Sequence, residues 1–585
     1  MLRIISLYVA LFLSGTAALV YQSTWGRMLQ RVFGVSDLAV ATVLATFFLG
    51  LGLGSALGGR WGRKVRRPAR AYALLEVAIG AWALLSLLLI PNVHDVYAAI
   101  GGGMGFGALT IIRFLIAIFI LLPPTLLMGA TLPILIAATA RQGVAWSSSA
   151  TWLYATNTLG AVVGAGITGL YLVPSFGAKV SVVVAACASF AAAIIVYVVW
   201  RGASDTEEKE EPSERVPVPS RVRLAMTLAA IAGLASLASE VLWTRVLRLV
   251  VQGTTQAFAA MLVNYLIGIA LGSIIAERLM RKPNRNPTVL FAGTQLLLGI
   301  LTVAAIYVGS QLPRLAVLVQ GSTNIVPHEA WVILALSSFL LLPLALVLGT
   351  SVPLAWRIAG GGTDDASEHS GRVLAANTLG GLFGSLGAGF LLIPGFAAAL
   401  EGSDPADIRV SAVELSLLAV VFVHLLAATI ALVSAARTSI QRIFGMTGPL
   451  AVGVVLVLIG PSLNLPFLLD AWYDPSSAVV TGPDDYWRNN VVFLEEGRNT
   501  TVSILDRSST LRLFNDGRPE SGFGEDDPGF GEELAVLGSL PVIFAEKHER
   551  AMVIGLGAGH TTAVLLGGPW QQVDVVELEG AVVNA

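Results

Sequence analysis

Residues 14–29, SGTAALVYQSTWGRML, come back 218 positions later as AGLASLASEVLWTRVL (232–247). The pairing sets Gly15 on Gly233, Trp25 on Trp243 and Arg27 on Arg245, and the same offset carries Gly50, Gly54 and Ser55 onto Gly268, Gly272 and Ser273. LLPPTLLMGATLPI (121–134) matches LLPLALVLGTSVPL (341–354), and ATNTLGAVVGAGITGLYLVP (155–174) matches AANTLGGLFGSLGAGFLLIP (375–394). An offset this constant marks a duplicated unit. Each unit carries six apolar runs of about 20 residues, the length a helix needs to cross a hydrocarbon core. In the first copy they fall near 4–24, 37–59, 71–91, 107–139, 150–173 and 179–200; in the second, near 224–244, 255–277, 288–310, 330–355, 373–395 and 411–434.

With 55% hydrophobic and only 13% charged residues, the composition is that of a membrane protein. A net charge of −2 gives no footprint for a nucleic-acid partner. One cysteine, Cys187, excludes a disulfide framework, and the six scattered histidines form no metal motif, so no metal is expected. An even number of helices precedes the second copy, so both copies enter the bilayer in the same direction. That parallel repeat resembles the two halves of major facilitator transporters.

The expected organisation is a first six-helix repeat (1–200), a Glu-, Pro- and Ser-rich cytoplasmic linker (201–223) and a second six-helix repeat (224–436). An additional apolar segment (437–470), a β-ribbon and helix (471–545) and the start of a nucleotide-binding α/β domain (546–585) follow. The N-terminal run is read as a retained spanning helix. Arg60, Arg63, Lys64, Arg66, Arg67 and Arg70 after helix 2, and Arg278, Arg281, Lys282 and Arg285 after helix 8, put those loops, the N-terminus and the linker in the cytoplasm of a cell (inner) membrane protein. If the segment 437–470 spans, the tail lies outside the cell; if it is interfacial or re-entrant, the tail stays inside.

Polar residues within apolar runs are costly and are the default candidates for function. They are Glu76, whose repeat mate is Gln295; Glu240, whose mate is Gln22; Asn264, whose mate is Thr46; and Asn157 and Asn377. The two glutamates could hold a cation such as a polyamine, carry a coupling proton, or pair structurally with Arg113 or Arg245. Asn157 and Asn377 are expected to cap helices 5 and 11. Gly50-x-Gly52-x-Gly54 and Gly160-x-x-x-Gly164 suit close helix packing, and Trp25 and Trp243 suit an interfacial aromatic belt.

The tail reads AMVIGLGAGHTTAVLLGGPWQQVDVVELE (551–579): a strand, Gly555-x-Gly557-x-Gly559, a helix, and a second strand ending on Glu577. Glycines there let backbone approach a ligand, and the acid is placed for a ribose diol. His560 stands where a dinucleotide site has glycine, which favours an S-adenosylmethionine-type ligand. Upstream, alternating residues around Asn515-Asp516-Gly517 indicate a β-ribbon.

Taken together, SGTAALVYQSTWGRML, ATVLATFFLGLGLGS, EEGRNTTVSIL and VIGxGxG…VVE resemble the membrane-fused spermidine-synthase-like proteins, a major-facilitator-like region joined to a polyamine aminopropyltransferase-like domain. The resemblance implies a fold of two parallel six-helix repeats plus the truncated start of a Rossmann-like domain. It implies decarboxylated S-adenosylmethionine or S-adenosylmethionine as donor, held by Gly555, Gly557, Gly559 and Glu577. A small-molecule amine would lie near Asp516, Gly517, Asp526 and Asp527. The sequence departs from that family at Ala558, Glu520 and Phe530, and the family's catalytic Asp belongs to a strand farther along than Ala585. The chain would then be a fragment of a longer protein, or its tail a degenerate binding module. The expected function is therefore a membrane-bound group transferase acting on polyamine-like amines. The alternative is a major-facilitator-like transporter of polyamines or other small cations with a sensory or vestigial tail, and a third reading is a membrane scaffold. The lipid bilayer is a partner in every case; oligomeric state is left open.

Overall fold

A computed structural model describes residues 2–33, 37–101, 106–201, 218–251, 255–282, 284–320, 330–362, 364–400, 410–460, 462–463, 468, 491–497, 500–507, 510–523 and 528–585. Most of the linker, residues 471–490 and the acids Asp526 and Asp527 lie outside the described residues. The first copy folds as α1 (Leu2–Phe33), α2 (Asp37–Lys64), α3 (Pro68–Gly101), α4 (Phe106–Ala140), α5 (Trp146–Ile167) and α6 (Val173–Trp200). The second comprises α7 (Ser220–Val251), α8 (Thr255–Met280), α9 (Pro287–Ser310), short α10 (Leu312–Gln320), α11 (Ala330–Leu348), α12 (Ser351–Ala359), α13 (Ala366–Gly387), α14 (Ile393–Leu400) and α15 (Ala412–Ala435). Among the described residues, twelve segments are long and apolar enough to cross a membrane; one of them, Trp146–Trp200, contains both α5 and α6 and kinks at Gly177, inside α6, where the backbone leaves helical geometry. The chain is a polytopic helical membrane protein. Exposed apolar side chains such as Leu74, Leu88, Phe119 and Ile194 face where lipid must be.

The duplication holds at the level of single contacts. A side chain added at Gly160 would strike the Phe12 carbonyl, and at its mate Gly380 the Ala230 carbonyl; Gly164 and Gly384 likewise abut the carbonyls of Thr16 and Leu234. Ser55 donates to the Gly129 carbonyl at 3.1 Å and its mate Ser273 to that of Gly349 at 3.0 Å. Even a π-helical turn recurs, at Thr168–Leu172 and again at Ala388–Leu392. Such contacts bring α1 against α5 and α7 against α13. The halves meet where α2 lies along α13 and α5 along α8.

Two expectations are corrected. Asn157 and Asn377 are not helix caps: α5 and α13 begin at Trp146 and Ala366, so both residues sit inside helices. There Gly15 packs on the Asn157 carbonyl and Gly233 on that of Asn377, while the Asn377 side chain donates to the Ala229 carbonyl at 3.0 Å. Trp25 and Trp243 are not interfacial anchors, each being 1% exposed. Trp25 donates to Ser86 Oγ at 2.9 Å and stacks on Tyr21, so a polar partner inside the bundle replaces the headgroup region.

After α15, residues Ser439–Ile459 form α16, which packs back along α15 and α9. Thr438 and Gln441 close a capping box at its start, and Gly460 in left-handed conformation ends it before Pro461. At 21 residues it is about 31 Å long, a full crossing. The Leu463 backbone N–H then donates to Glu414 in the first turn of α15, so the chain has returned to the end of the bundle opposite the Arg-rich loops.

The tail consists of an antiparallel sheet, β1 (Val491–Glu496), β2 (Thr501–Arg507), β3 (Thr510–Asn515) and β4 (Arg518–Phe523), then α17 (Pro528–Phe544) and a strand–helix–strand unit. That unit is β5 (Arg550–Ile554), α18 (His560–Leu566) and β6 (Gln572–Val576), β5 pairing parallel with β6, closed by α19 (Gly580–Asn584). The Rossmann-like domain expected from the sequence is represented among the described residues by this one unit.

The α7–α13 crossing is testable. Gly384→Val drives a branched side chain into the Leu234 backbone and should cost about 1–3 kcal/mol, lowering the detergent melting temperature by several degrees. Gly387→Ala, at a position with open space around it, should leave the melting temperature unchanged.

Candidate functional site

The basic end of the bundle is shut by ion pairs between the halves. Arg63 on α2 meets Glu368 on α13 at 2.8 Å and Asp365 at 3.6 Å, and Arg372 clamps the other Glu368 oxygen. On the opposite seam Glu277 of α8 is 3% exposed, paired with Arg357 at 2.8 Å and accepting from Ser148 of α5 at 2.6 Å. Trp146 donates to the Gly361 carbonyl at 3.1 Å. Backbones touch here: a Cβ on Gly371 would lie 2.4 Å from the Ser55 carbonyl. Glu277, Glu368 and Arg357 were not singled out from the sequence. The available signal was comparison of the copies, since Glu368 aligns with Ser148 and Glu277 with Gly59. An acid present in one copy alone, at a seam the duplication makes symmetric, ties the halves together.

Toward the other end, Glu240 of α7 is half-buried on the wall of a narrow recess lined also by Thr244, Phe258, Met261, Tyr265 and Leu341, from α7, α8 and α11. Tyr265 does not bind the acid; it donates to the Ser236 carbonyl at 2.9 Å. The pairing of the membrane glutamates with arginines does not occur: Arg113 binds Tyr97 at 2.7 Å and Arg245 the Gly497 carbonyl at 2.6 Å. Asn264 is satisfied between α8 and α11, donating to the Leu334 carbonyl and Ser337 and accepting from Ser338. It joins two helices, as amides do in lipid. Gln295 donates to Ser351 at 3.2 Å, and its carbonyl oxygen lies 2.8 Å from His424 Nδ1, so that ring nitrogen carries the proton. Glu76 is fully buried between α3, α1 and α6.

The tail docks on the ends of α7 and α15 that lie away from the Arg-rich loops. Glu496 accepts from the backbone N–H groups of Ala412 and Val413, the unpaired donors that open α15. Arg245 reaches Gly497 beside it. Burial pushes the Glu496 carboxyl up, against the opposing pull of Arg245 and the two donors. Asp516 is also pushed up by burial although it accepts from the Thr501 N–H. Asp516 and Gly517 form the expected turn of the ribbon, between β3 and β4, both with positive φ, and the Asp516 carboxylate braces β2.

In the strand–helix–strand unit, Gly555, Gly557 and Gly559 have φ of 90°, 52° and 81° and form the turn expected between β5 and α18. Ser521 and the Gly522 carbonyl meet this loop through Ala558 and His560. Glu577 is spent on the loop itself: it accepts from the N–H groups of Leu556, Leu578 and Glu579 at 2.7, 2.8 and 3.0 Å. Partial burial works to raise its carboxyl, but those donors together hold it below the ordinary glutamate range.

No protein-family model and no curated protein matches the chain. Among solved structures, a bacterial homologue of the iron transporter ferroportin in an outward-facing state is similar at 14% identity and a TM-score of 0.49, over 74% of this chain and 100% of that one. The fucose:proton symporter of E. coli is similar at 12% identity and a TM-score of 0.44, over 74% of this chain and 98% of that one. The expectation of an aminopropyl- or S-adenosylmethionine-type transferase is corrected here. The solved structures that the chain is similar to are transporters.

Two outcomes follow from this geometry. Breaking one side of a partly buried, charged hydrogen bond costs about 1.5–3 kcal/mol. Glu368→Gln should therefore speed maleimide labelling of a Ser367→Cys reporter, 2% exposed in the shut seam, about tenfold or more in a Cys187→Ser background. For the tail, Glu496 binds a proton more readily docked than free, so docking is favoured in acid and weakens as pH rises through its docked pKa. Hydrogen exchange of 491–523, corrected for intrinsic rates, should quicken from the ordinary glutamate range toward neutrality, and Glu496→Gln should flatten that dependence.

Proposed function

We propose that the protein is a transporter that moves small organic cations, polyamines among them, by alternating access between its two six-helix halves. The basic end faces the cytoplasm, following the Lys and Arg of the loops after α2 and α8. On that assignment the tail lies on the outer face, beyond a cytoplasmic seam that is shut. Rocking of the halves then requires Arg63–Glu368 and Ser148–Glu277 to part, which gives an inward-open state its energetic cost.

The observation that carries the cation reading is Glu240. It is a carboxylate in a membrane helix, at the wall of a recess shared with the rings of Phe258 and Tyr265, and no described protein group forms a hydrogen bond with it. An ammonium entering the recess would supply the missing opposite charge, and aromatic faces add cation–π attraction. An anion would be repelled by that acid, and a sugar hydroxyl could donate to it but would bring no opposite charge.

Uptake of labelled putrescine into proteoliposomes tests the reading. Wild-type protein should concentrate it, and Glu240→Gln should cut uptake about tenfold or more, the loss expected when a buried charge-assisted contact worth about 1.5–3 kcal/mol is removed. Uptake that is absent in the wild type, or equal in the variant, would sink it.

A further inference from the structure

Glu76 is an ionisable group without a partner among the described residues of the bundle. It is 0% exposed, and neither carboxylate oxygen has a hydrogen-bond partner. Ser14 of α1, Ser189 of α6 and Tyr72 of its own α3 stand around it without meeting hydrogen-bond geometry, and the Tyr72 hydroxyl is unpartnered too. The other ionisable groups facing the cluster are Tyr21 of α1, 3.4 Å from Ser189, and Cys187 of α6. Arg113 of α4, which packs on α3, is held at Tyr97, 21 residues and about 31 Å along the helix.

The duplication supplies an internal comparison. In the second half the equivalent positions read Gln295 for Glu76, Phe291 for Tyr72 and, counting back from the helix ends Trp200 and Ala435, His424 for Ser189. There the amide engages both His424 and Ser351. The α3–α6 contact and its repeat, α9–α15, are thus satisfied with neutral groups in one half and left with an orphaned acid and an orphaned phenol in the other. An ionised carboxylate without a counter-charge is far too costly in such a site. It must hold a positive charge of its own or be neutral.

We infer that Glu76 is a proton-binding site, and that its loading and unloading couple proton movement to cation transport. This rests on the transporter reading only for the coupling. A proton suits the site better than a metal cation, because α1, α3 and α6 run as continuous helix past it and offer no unwound carbonyls. The step is the addition of one proton to a carboxylate to give the neutral acid, and its return to water from the other state of the cycle.

Glu76→Gln mimics the loaded acid, and Gln295 at the mate position shows that the junction accommodates this side chain. Infrared spectra of wild-type protein in lipid should show a buried protonated-carboxyl band near neutral pH that Glu76→Gln removes. In proteoliposomes, the variant should lose at least tenfold of the putrescine accumulation driven by a pH gradient, with putrescine counterflow reduced far less. A band unchanged in the variant, a carboxyl band that appears or vanishes with sodium, or undiminished pH-driven accumulation would each overturn the inference. If wild-type protein moves no putrescine at all, the cation reading fails, while the infrared band still decides the proton site.

Discussion

Everything in the bundle depends on glycine set against carbonyl. In lipid no hydrophobic effect drives helix onto helix, so association rests on how closely backbones can approach. Gly160 and Gly164 against α1, and Gly380 and Gly384 against α7, leave no room for a methyl group. Gly54 against the Leu126 carbonyl and Gly272 against that of Leu346 do the same for α2 with α4 and α8 with α11. These contacts build each half as a rigid body. The pieces that can move are then the halves themselves, joined along α2–α13 and α5–α8 and locked at one end by charge.

That division places the polar residues in distinct roles. Asn264 and Gln295 have their hydrogen bonds made within a half and hold helices together. Glu277 and Glu368 each pair with an arginine of their own half and also meet a group across the seam, Ser148 and Arg63, and those cross-seam contacts report on its closure. Glu240 and Glu76 are satisfied by nothing described in the protein, and these are the positions where a ligand or a proton completes the chemistry. The tail follows the second half, because ties among its described residues, at Glu496 and at Arg245, involve the ends of that half's helices away from the Arg-rich loops.

Much of this was legible beforehand. Thirteen apolar runs, the offset of about 218 residues, the glycine rows and the strand–glycine turn–helix–strand order of the tail all have a local cause in length, periodicity or turn chemistry. What failed had a common origin. Asn157 and Asn377 resemble helix caps because Asn-Thr-Leu-Gly looks like a start signal, yet α5 and α13 begin several residues earlier in less apolar sequence. Trp25 and Trp243 resemble a lipid-interface belt because each lies next to an arginine, but Ser86 provides Trp25 with a partner inside.

By itself the sequence determined that the chain crosses the membrane in two parallel six-helix sets, since apolar length and internal repetition are properties of the chain alone. Only the tertiary structure decided that α16 is a full crossing that carries the tail to the end opposite the basic loops. It also decided that the seam between the halves is shut at one end, and that Glu76 stands without a partner where Gln295 has two. Those facts depend on which helix faces which, and in lipid that is settled by backbone proximity and hydrogen bonding between residues hundreds of positions apart.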